Sequence, residues 1–214
     1  MGDILQRVQT TRGELVLRRT EDRLEVISNG VFLMDTSDGR SERTLIEAAV
    51  SRTAAAAPRV LIGGLGVGFS LAAAVHYGQL AAIDVVEIEP ALVEWHHKYF
   101  EAITGAALAD PRVRVIEMDI ARWLAEADTT YDAICLDTDN GPNWLVFEKN
   151  ANIYSAQGLE LAWQRLSPGG VLTVWSASQD NDFAERLAGR FSDVTILETP
   201  QVRGVPDVVY VARR

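Results

Sequence analysis

The sequence predicts an α/β fold: a doubly wound, mostly parallel seven-stranded sheet whose last strand is reversed, preceded by a small N-terminal β meander. Three observations predict it. Between residues 59 and 136 short apolar runs alternate with helical stretches, the pattern of successive βα units. The chain closes with two strand-like runs, 193–197 and 207–212, joined by a segment holding Pro200, Gly204 and Pro206 and no helix, so these two must pair antiparallel. Ahead of residue 40 the pattern is purely β-like and carries Asn29-Gly30, the dipeptide that best supports a tight hairpin.

Residues 14–18, 23–27 and 31–34 are the strands of the meander, punctuated by Glu21-Asp22 and Asn29-Gly30. Ser41-Glu42-Arg43 opens an Ala-rich helix through about residue 57, and Pro58 stops it before the first core strand at 59–62. A helix over 68–76, a strand at 82–87, a helix over 90–100, a strand at 112–117, a helix over 120–127 and a strand at 131–136 follow. Their crossovers require parallel pairing. A helix over 155–166, the turn Ser167-Pro168-Gly169-Gly170, a strand at 171–176 and a helix over 181–189 lead into the final hairpin. The predicted division is an appendage over 1–40 and an α/β domain over 41–214. A Rossmann-like sheet of seven strands with the last reversed is the architecture of class I S-adenosylmethionine-dependent methyltransferases; a nicotinamide-binding Rossmann domain more usually closes with a parallel strand.

Composition agrees with one enzyme-sized unit: 214 residues, 48% hydrophobic and 23% charged, can bury a sizeable core without a second domain. The longest apolar runs, such as 54–57, are far too short to span a bilayer, and the start Met1-Gly2-Asp3 lacks the basic and apolar regions of a secretory signal. The expectation is a cytoplasmic protein with no membrane partner. A net charge of −10 disfavours nucleic acid, because Arg18-Arg19 and Arg213-Arg214 are isolated pairs and not a phosphate-neutralising patch. The same acidity suits a cationic substrate such as a polyamine. Cys135 is the one cysteine, inside an apolar strand, which implies an inert buried thiol, no intrachain disulfide and no thiolate metal cluster. No metal is expected.

The chemistry concentrates where strands end. Gly63, Gly64, Gly66 and Gly68 follow the first core strand, so the backbone turns sharply and no side chain stands between main-chain amides and a ligand. Glu87, about twenty residues on and at the mouth of the next strand, is placed to accept from both hydroxyls of a ribose. Strand, glycine turn, helix, strand and acid in that order read as a nucleoside-binding site. Asp119 and Asp137 also fall at carboxyl ends of strands, where open α/β sheets bind ligands; a helix N-cap is the lesser alternative for either acid taken alone.

These residues carry a specific resemblance. The β-rich N-terminal piece, residues 60–68, residues 86–90, Asp110-Pro111-Arg112-Val113, Met118-Asp119, and Tyr131-Asp132-Ala133-Ile134-Cys135-Leu136-Asp137 with Gly141-Pro142 make the chain similar to the spermidine synthase-like, or polyamine aminopropyltransferase, family. The resemblance implies that Glu87 binds the ribose hydroxyls, that Ile88 lies against the adenine and that Asp119 accepts from its amino group. It implies that Asp137 orients the attacking amine and takes part in its deprotonation. Asp139, Asn140 and Trp144, in the loop that follows, are expected to shape the acceptor pocket. Related enzymes commonly form dimers through the N-terminal region, whose β edges suit such pairing.

The chain also departs from the family. Aminopropyltransferases carry an Asp in the glycine loop that holds the amine of decarboxylated S-adenosylmethionine and repels the carboxylate of the ordinary donor; here that position is Gly66. The family's Tyr-His pair is matched by Leu45 and Ile46, and its Asp-Ser-Ser-Asp-Pro gate is shortened to Asp137-Thr138-Asp139-Asn140. Two like charges in a partly desolvated site repel by several kcal/mol, so losing one admits ordinary S-adenosylmethionine. The expected function is therefore transfer of a methyl or an aminopropyl group from sulfonium to a nucleophile, a small amine. The alternatives are a non-catalytic nucleoside-binding module and, less favoured by the reversed strand, a nicotinamide dehydrogenase.

Other residues read as structural. His96 and His97 are adjacent on a helix and cannot form an i, i+4 metal pair, and Trp95, Tyr99 and Phe100 are spaced for a packed face. Trp123, Trp163 and Trp175 belong to the core, with Trp175 near the pocket mouth, and Ser70 and Ser176 lack the context of a hydrolase nucleophile.

Overall fold

The computed structural model describes residues 2–145, 147–202 and 204–214, with the Lys149 side chain also outside the description. Four antiparallel strands, β1 (Asp3–Thr10), β2 (Gly13–Thr20), β3 (Arg23–Ser28) and β4 (Val31–Asp35), form the meander in sequential order. Asn29 and Gly30 both take positive φ, 51° and 79°, as a two-residue hairpin turn demands. Sequence patterning overlooks β1, because on this edge strand only Leu5 and Val8 pack inward among Gln6, Arg7 and Gln9.

The helix α1 (Arg40–Arg52) stops earlier than its alanines predict. Beyond it Thr53 turns extended, and residues 53–57 are half-buried or exposed, so continuing the helix would bury nothing. The main sheet follows: β5 (Arg59–Gly63), β6 (Ala82–Glu87), β7 (Val113–Glu117), β8 (Tyr131–Leu136), β9 (Leu166–Ser176), β10 (Ser192–Thr199) and β11 (Asp207–Arg213). Their order across the sheet is β10-β11-β9-β8-β5-β6-β7, with β11 antiparallel to both neighbours, as expected. The predicted turn at 167–170 is absorbed into β9: the pairing steps from Tyr131↔Leu166 to Ala133↔Val171, so the extra residues bulge out of the ladder and the strand starts before them.

The helices are α2 (Phe69–Val75), α3 (Pro90–Trp95), α4 (Glu101–Thr104), α5 (Ile120–Glu126), α6 (Ala151–Tyr154), α7 (Ala156–Arg165) and α8 (Asn181–Ala188). A π turn, His96–Phe100, joins α3 to α4 where a single helix is predicted. Alternation along the central strands builds two cores. Val60 and Ile62 pack toward α1 and α2, whereas Leu61, Ile134 and Leu136 pack toward α5, α7 and α8. A third cluster joins Leu15, Leu17 and Val26 of the meander to Val67, Leu92, Trp95 and Phe100, which seats the meander on the glycine loop. Cys135 is fully enclosed, and burial pushes its thiol up to about 12.

The sheet winds outward from the gap between β5 and β8: the chain runs from β5 to β6 and β7 on one side, and from β8 to β9 on the other. Such a switch point opens a crevice at the carboxyl ends of the strands. One buried polar group holds its flank. Asp84, at the middle of β6, accepts from Arg114 at 2.9 and 2.7 Å and from the buried Tyr131 hydroxyl at 2.8 Å, which itself accepts from Trp123 Nε1 at 3.0 Å. Asp84→Ala should lower the unfolding free energy by about 2–4 kcal/mol, because it strands that hydroxyl. Urea midpoints will measure it, and Arg114→Ala should cost less, since its side chain is more than half exposed and water replaces it.

Candidate functional site

The glycine loop leaves β5 in a conformation open to few side chains. Gly64, Gly66 and Gly68 have φ of 95°, 52° and 96°. A Cβ on Gly64 would stand 2.1 Å from the Asp137 carbonyl oxygen, so the loop lies directly on the exit of β8. From beneath, His96 Nε2 donates to the Gly66 carbonyl at 2.9 Å, which fixes the tautomer because a carbonyl only accepts. The ring is buried, its Nδ1 has no partner, and burial holds its pKa below the ordinary value. The π turn delivers this histidine to the loop, so its part is support of the backbone.

Glu87 is 5% exposed and accepts from the Leu65 amide and the Glu89 amide, both at 2.8 Å. Burial raises its pKa and these amide donors oppose the rise. One carboxylate thus ties the loop to the end of β6. The backbone amides of Gly66 and Ile88 add to these donors, so the carboxylate is held on several sides. Asp119 caps α5, accepting from the Arg122 amide at 2.9 Å, and also lines the crevice. The capping role and the wall role coexist in this residue.

Asp137 follows β8. Its Oδ2 accepts from the Ser70 hydroxyl at 2.6 Å and its amide donates to the Gly63 carbonyl at 2.8 Å. Burial, aided by the charge of Glu87, raises its pKa well above the carboxylate range, and the Ser70 hydrogen bond restrains the rise. Ser70 escapes sequence reasoning because it belongs to no nucleophile motif, and its link to Asp137 exists only in three dimensions. Asp139, with φ of 59°, accepts from the amides of Asn140 and Phe147 and from Asn150 Nδ2 at 2.7 Å, which clasps the loop after β8.

A cavity of about 160 Å³ opens where these groups meet. Gly64, Gly66, Gly68, Glu87 and Ile88 line it, and so do Asp119, Asp137, Asp139 and Asn140. Gly63 does not: it sits in β5 against Ile120 and Leu136, where a Cβ would come within about 3 Å of their side chains, and packing alone accounts for it. Trp144 corrects the expectation of a pocket wall. It is 58% exposed and lies outside the lining, because the turn at 141–144 carries it toward solvent, and Phe147 and Trp175 form that wall instead.

The meander supplies the roof. Leu33, Met34 and Arg12 line the cavity, and the Arg12 guanidinium lies 3.8 Å over the Phe147 ring, 3.9 Å from Glu89 and 3.3 Å from Asn150 Oδ1. Glu42, from the first turn of α1, also lines it. Burial raises its pKa, and the charge of Asp137 adds to the effect. Among the described residues no group of three or more His, Cys, Asp or Glu is arranged to hold a metal ion, and no helix is long and apolar enough to cross a membrane.

Comparison with known proteins adds sequence and fold relationships. The spermine/spermidine synthase domain matches residues 41–186. Polyamine aminopropyltransferase 2 of Ralstonia nicotianae is 23% identical over 178 residues, 82% of this chain and 34% of that protein. The polyamine aminopropyltransferase of Corynebacterium efficiens is 29% identical over 167 residues, covering 77% and 31%. Putrescine N-methyltransferase 3 of Nicotiana tabacum is 33% identical over 123 residues, covering 56% and 30%. The chain thus spans about a third of the length of these curated relatives. In fold it is similar to a spermidine synthase solved with the transition-state analogue AdoDATO, at a TM-score of 0.84 and 15% identity over 99% of this chain and 73% of that one. Spermidine synthase from Thermotoga maritima gives 0.83 and 14%, covering 99% and 72%. With its sheet order, its glycine loop and this match across residues 41–186, the chain belongs to the spermine/spermidine synthase family.

Proposed function

We propose that the chain binds S-adenosylmethionine or its decarboxylated form and transfers a methyl or aminopropyl group from the sulfonium to a small amine such as a polyamine. The observation that carries the reading is the convergence of Glu87, Asp119 and Asp137 on one cavity beside a loop without side chains at 64, 66 and 68. Relatives named as aminopropyltransferases and as an N-methyltransferase support both forms of the transfer.

In this reading Glu87 holds the ribose hydroxyls, Ile88 packs on the adenine and Asp119 accepts from its amino group. When bound, the sulfonium donor supplies an electrophilic carbon: the amine nitrogen bonds to it, the carbon–sulfur bond breaks, and its electron pair leaves on a neutral thioether. Asp137 aligns the amine and receives its proton, and the raised pKa of this carboxyl brings it nearer to that of a useful base. Asp139 holds the acceptor loop in shape and Asn140 faces the acceptor. The setting proposed is the cytoplasm, where a lone buried thiol stays reduced. Pairing of two copies through the meander is supported by exposed Ile4 on β1 and exposed Val31 and Phe32 on β4, the two edge strands.

A second reading, a nucleoside-binding module without turnover, is favoured by the structural work that Glu87, Asp119 and Asp139 do in the hydrogen-bond network. Incubation of labelled donors with a panel of amines separates the two. Asp137→Asn should lower kcat by about 100-fold or more while changing donor affinity by less than about threefold; unaltered turnover rules out a catalytic Asp137. The ionised form of Asp137 is the active one, so activity should fall as pH drops through a limb above the ordinary carboxylate range. Ser70→Ala removes a bond that favours the ionised form and should move that limb to still higher pH. Calorimetry showing no binding of either donor or of its thioether product would remove the reading altogether.

A further inference from the structure

Glu42 is the acid that neither the motifs nor the mechanism above employs. Gly39, just ahead of α1, lies on the Phe69 ring, where a Cβ would stand 2.3 Å from the nearest ring atom. Phe69 follows Gly68, so the first turn of α1 is docked on the exit of the glycine loop, and Glu42 enters the cavity beside it.

Its hydrogen bonding is unusual. The buried Ser41 hydroxyl is 2.8 Å from Glu42 Oε2 and 3.0 Å from Asp207 Oδ2. A hydroxyl has one proton, so it can donate to one carboxylate only, and the second contact is a hydrogen bond only if that other carboxyl is protonated. Asp207 also accepts from Gln201 Nε2 at 2.5 Å, which favours Asp207 as the ionised member and leaves the proton on Glu42. Burial raises the pKa of both carboxyls; the charges of Asp137, after β8, and Asp207, on β11, raise Glu42 further, whereas the Ser41 and Gln201 hydrogen bonds and the Arg40 charge restrain the rise at Asp207. Among the described residues no Arg, Lys or His forms an ion pair with Glu42. Arg12, the one described cation at the cavity wall, is engaged by Glu89 and Asn150.

We propose that Glu42 is the donor-selecting residue of this site: it pairs with the primary ammonium at the tail of the sulfonium donor, in place of the acid absent at Gly66. This rests on the reading of the preceding section and resolves its donor. An ammonium beside Glu42 takes over the role of the proton, which leaves to solvent. A tail that also bears a carboxylate brings an anion among Glu42, Asp137 and Asp207, and among the described residues the one cation lining the cavity, Arg12, is already engaged. The site therefore prefers decarboxylated S-adenosylmethionine, and aminopropyl transfer follows from that preference.

Calorimetry on the full chain tests this with three ligands: the decarboxylated donor, S-adenosylmethionine, and methylthioadenosine, whose tail is uncharged. Wild type should bind the decarboxylated donor about tenfold or more tighter than S-adenosylmethionine. Titration in buffers of different ionisation heat should show a proton released with the decarboxylated donor. Glu42→Gln should abolish the release and weaken that donor about tenfold, with methylthioadenosine held within about twofold as the control for folding. Should Glu42→Gln fail that control, Glu42→Asp, which keeps the charge but withdraws it, should weaken the decarboxylated donor selectively. An unchanged ratio between the two donors in a folded variant overturns the role of Glu42 alone. No binding of any of the three to wild type overturns the underlying reading instead.

Discussion

The Glu87 carboxylate governs the geometry of the sheet's open end. By accepting from the Leu65 amide with one oxygen and the Glu89 amide with the other, it fixes the glycine loop against the end of β6. The loop can then lie on the exit of β8, with Gly64 so close to the Asp137 carbonyl that no other residue fits. Buried carboxylates are costly to ionise, and here oriented backbone donors offset part of that cost. Spacing between the Glu87 side and the Asp137 side of the crevice is set by this clamp, with His96 supporting the loop from below.

Around that frame the cavity wall concentrates acids. Most have an internal donor: Asp119 the first turn of α5, Asp137 the Ser70 hydroxyl, Asp139 the amides and Asn150 of its own loop. Each bond orients a carboxylate as well as satisfying it. Glu42 has its own backbone amide, and it shares its hydroxyl donor, Ser41, with Asp207. The N-terminal meander is part of the same construction, because Leu33, Met34 and Arg12 close the roof and the meander's own core rests on Val67, Leu92 and Trp95.

Much of this was legible in the chain, and the illegible parts share a cause. The strand, glycine, helix, strand, acid order fixes its own geometry, because its parts are adjacent in sequence and each has a steric reason. Asn29-Gly30 behaves likewise. β1 was hidden because an edge strand needs few apolar residues, and the end of α1 because helix propensity at 53–57 is outweighed by the absence of a surface to pack on. Residues 167–170 look like a free turn, yet the neighbouring strand captures them as a bulge. Trp144 suggested a pocket wall by its type, but the loop's path points it at solvent.

The sequence by itself determined the fold, the reversed strand β11 and the strand ends at which acids would stand, since these follow from hydrophobic period and from backbone sterics acting over a few residues. Only the tertiary structure decided which acids share one hollow, that Ser70 holds Asp137, and that Ser41 joins Glu42 to Asp207. Those pairings span 67 and 166 residues of chain. Hydrogen bonds at such separation depend on where packed elements bring side chains, and local pattern carries no record of that.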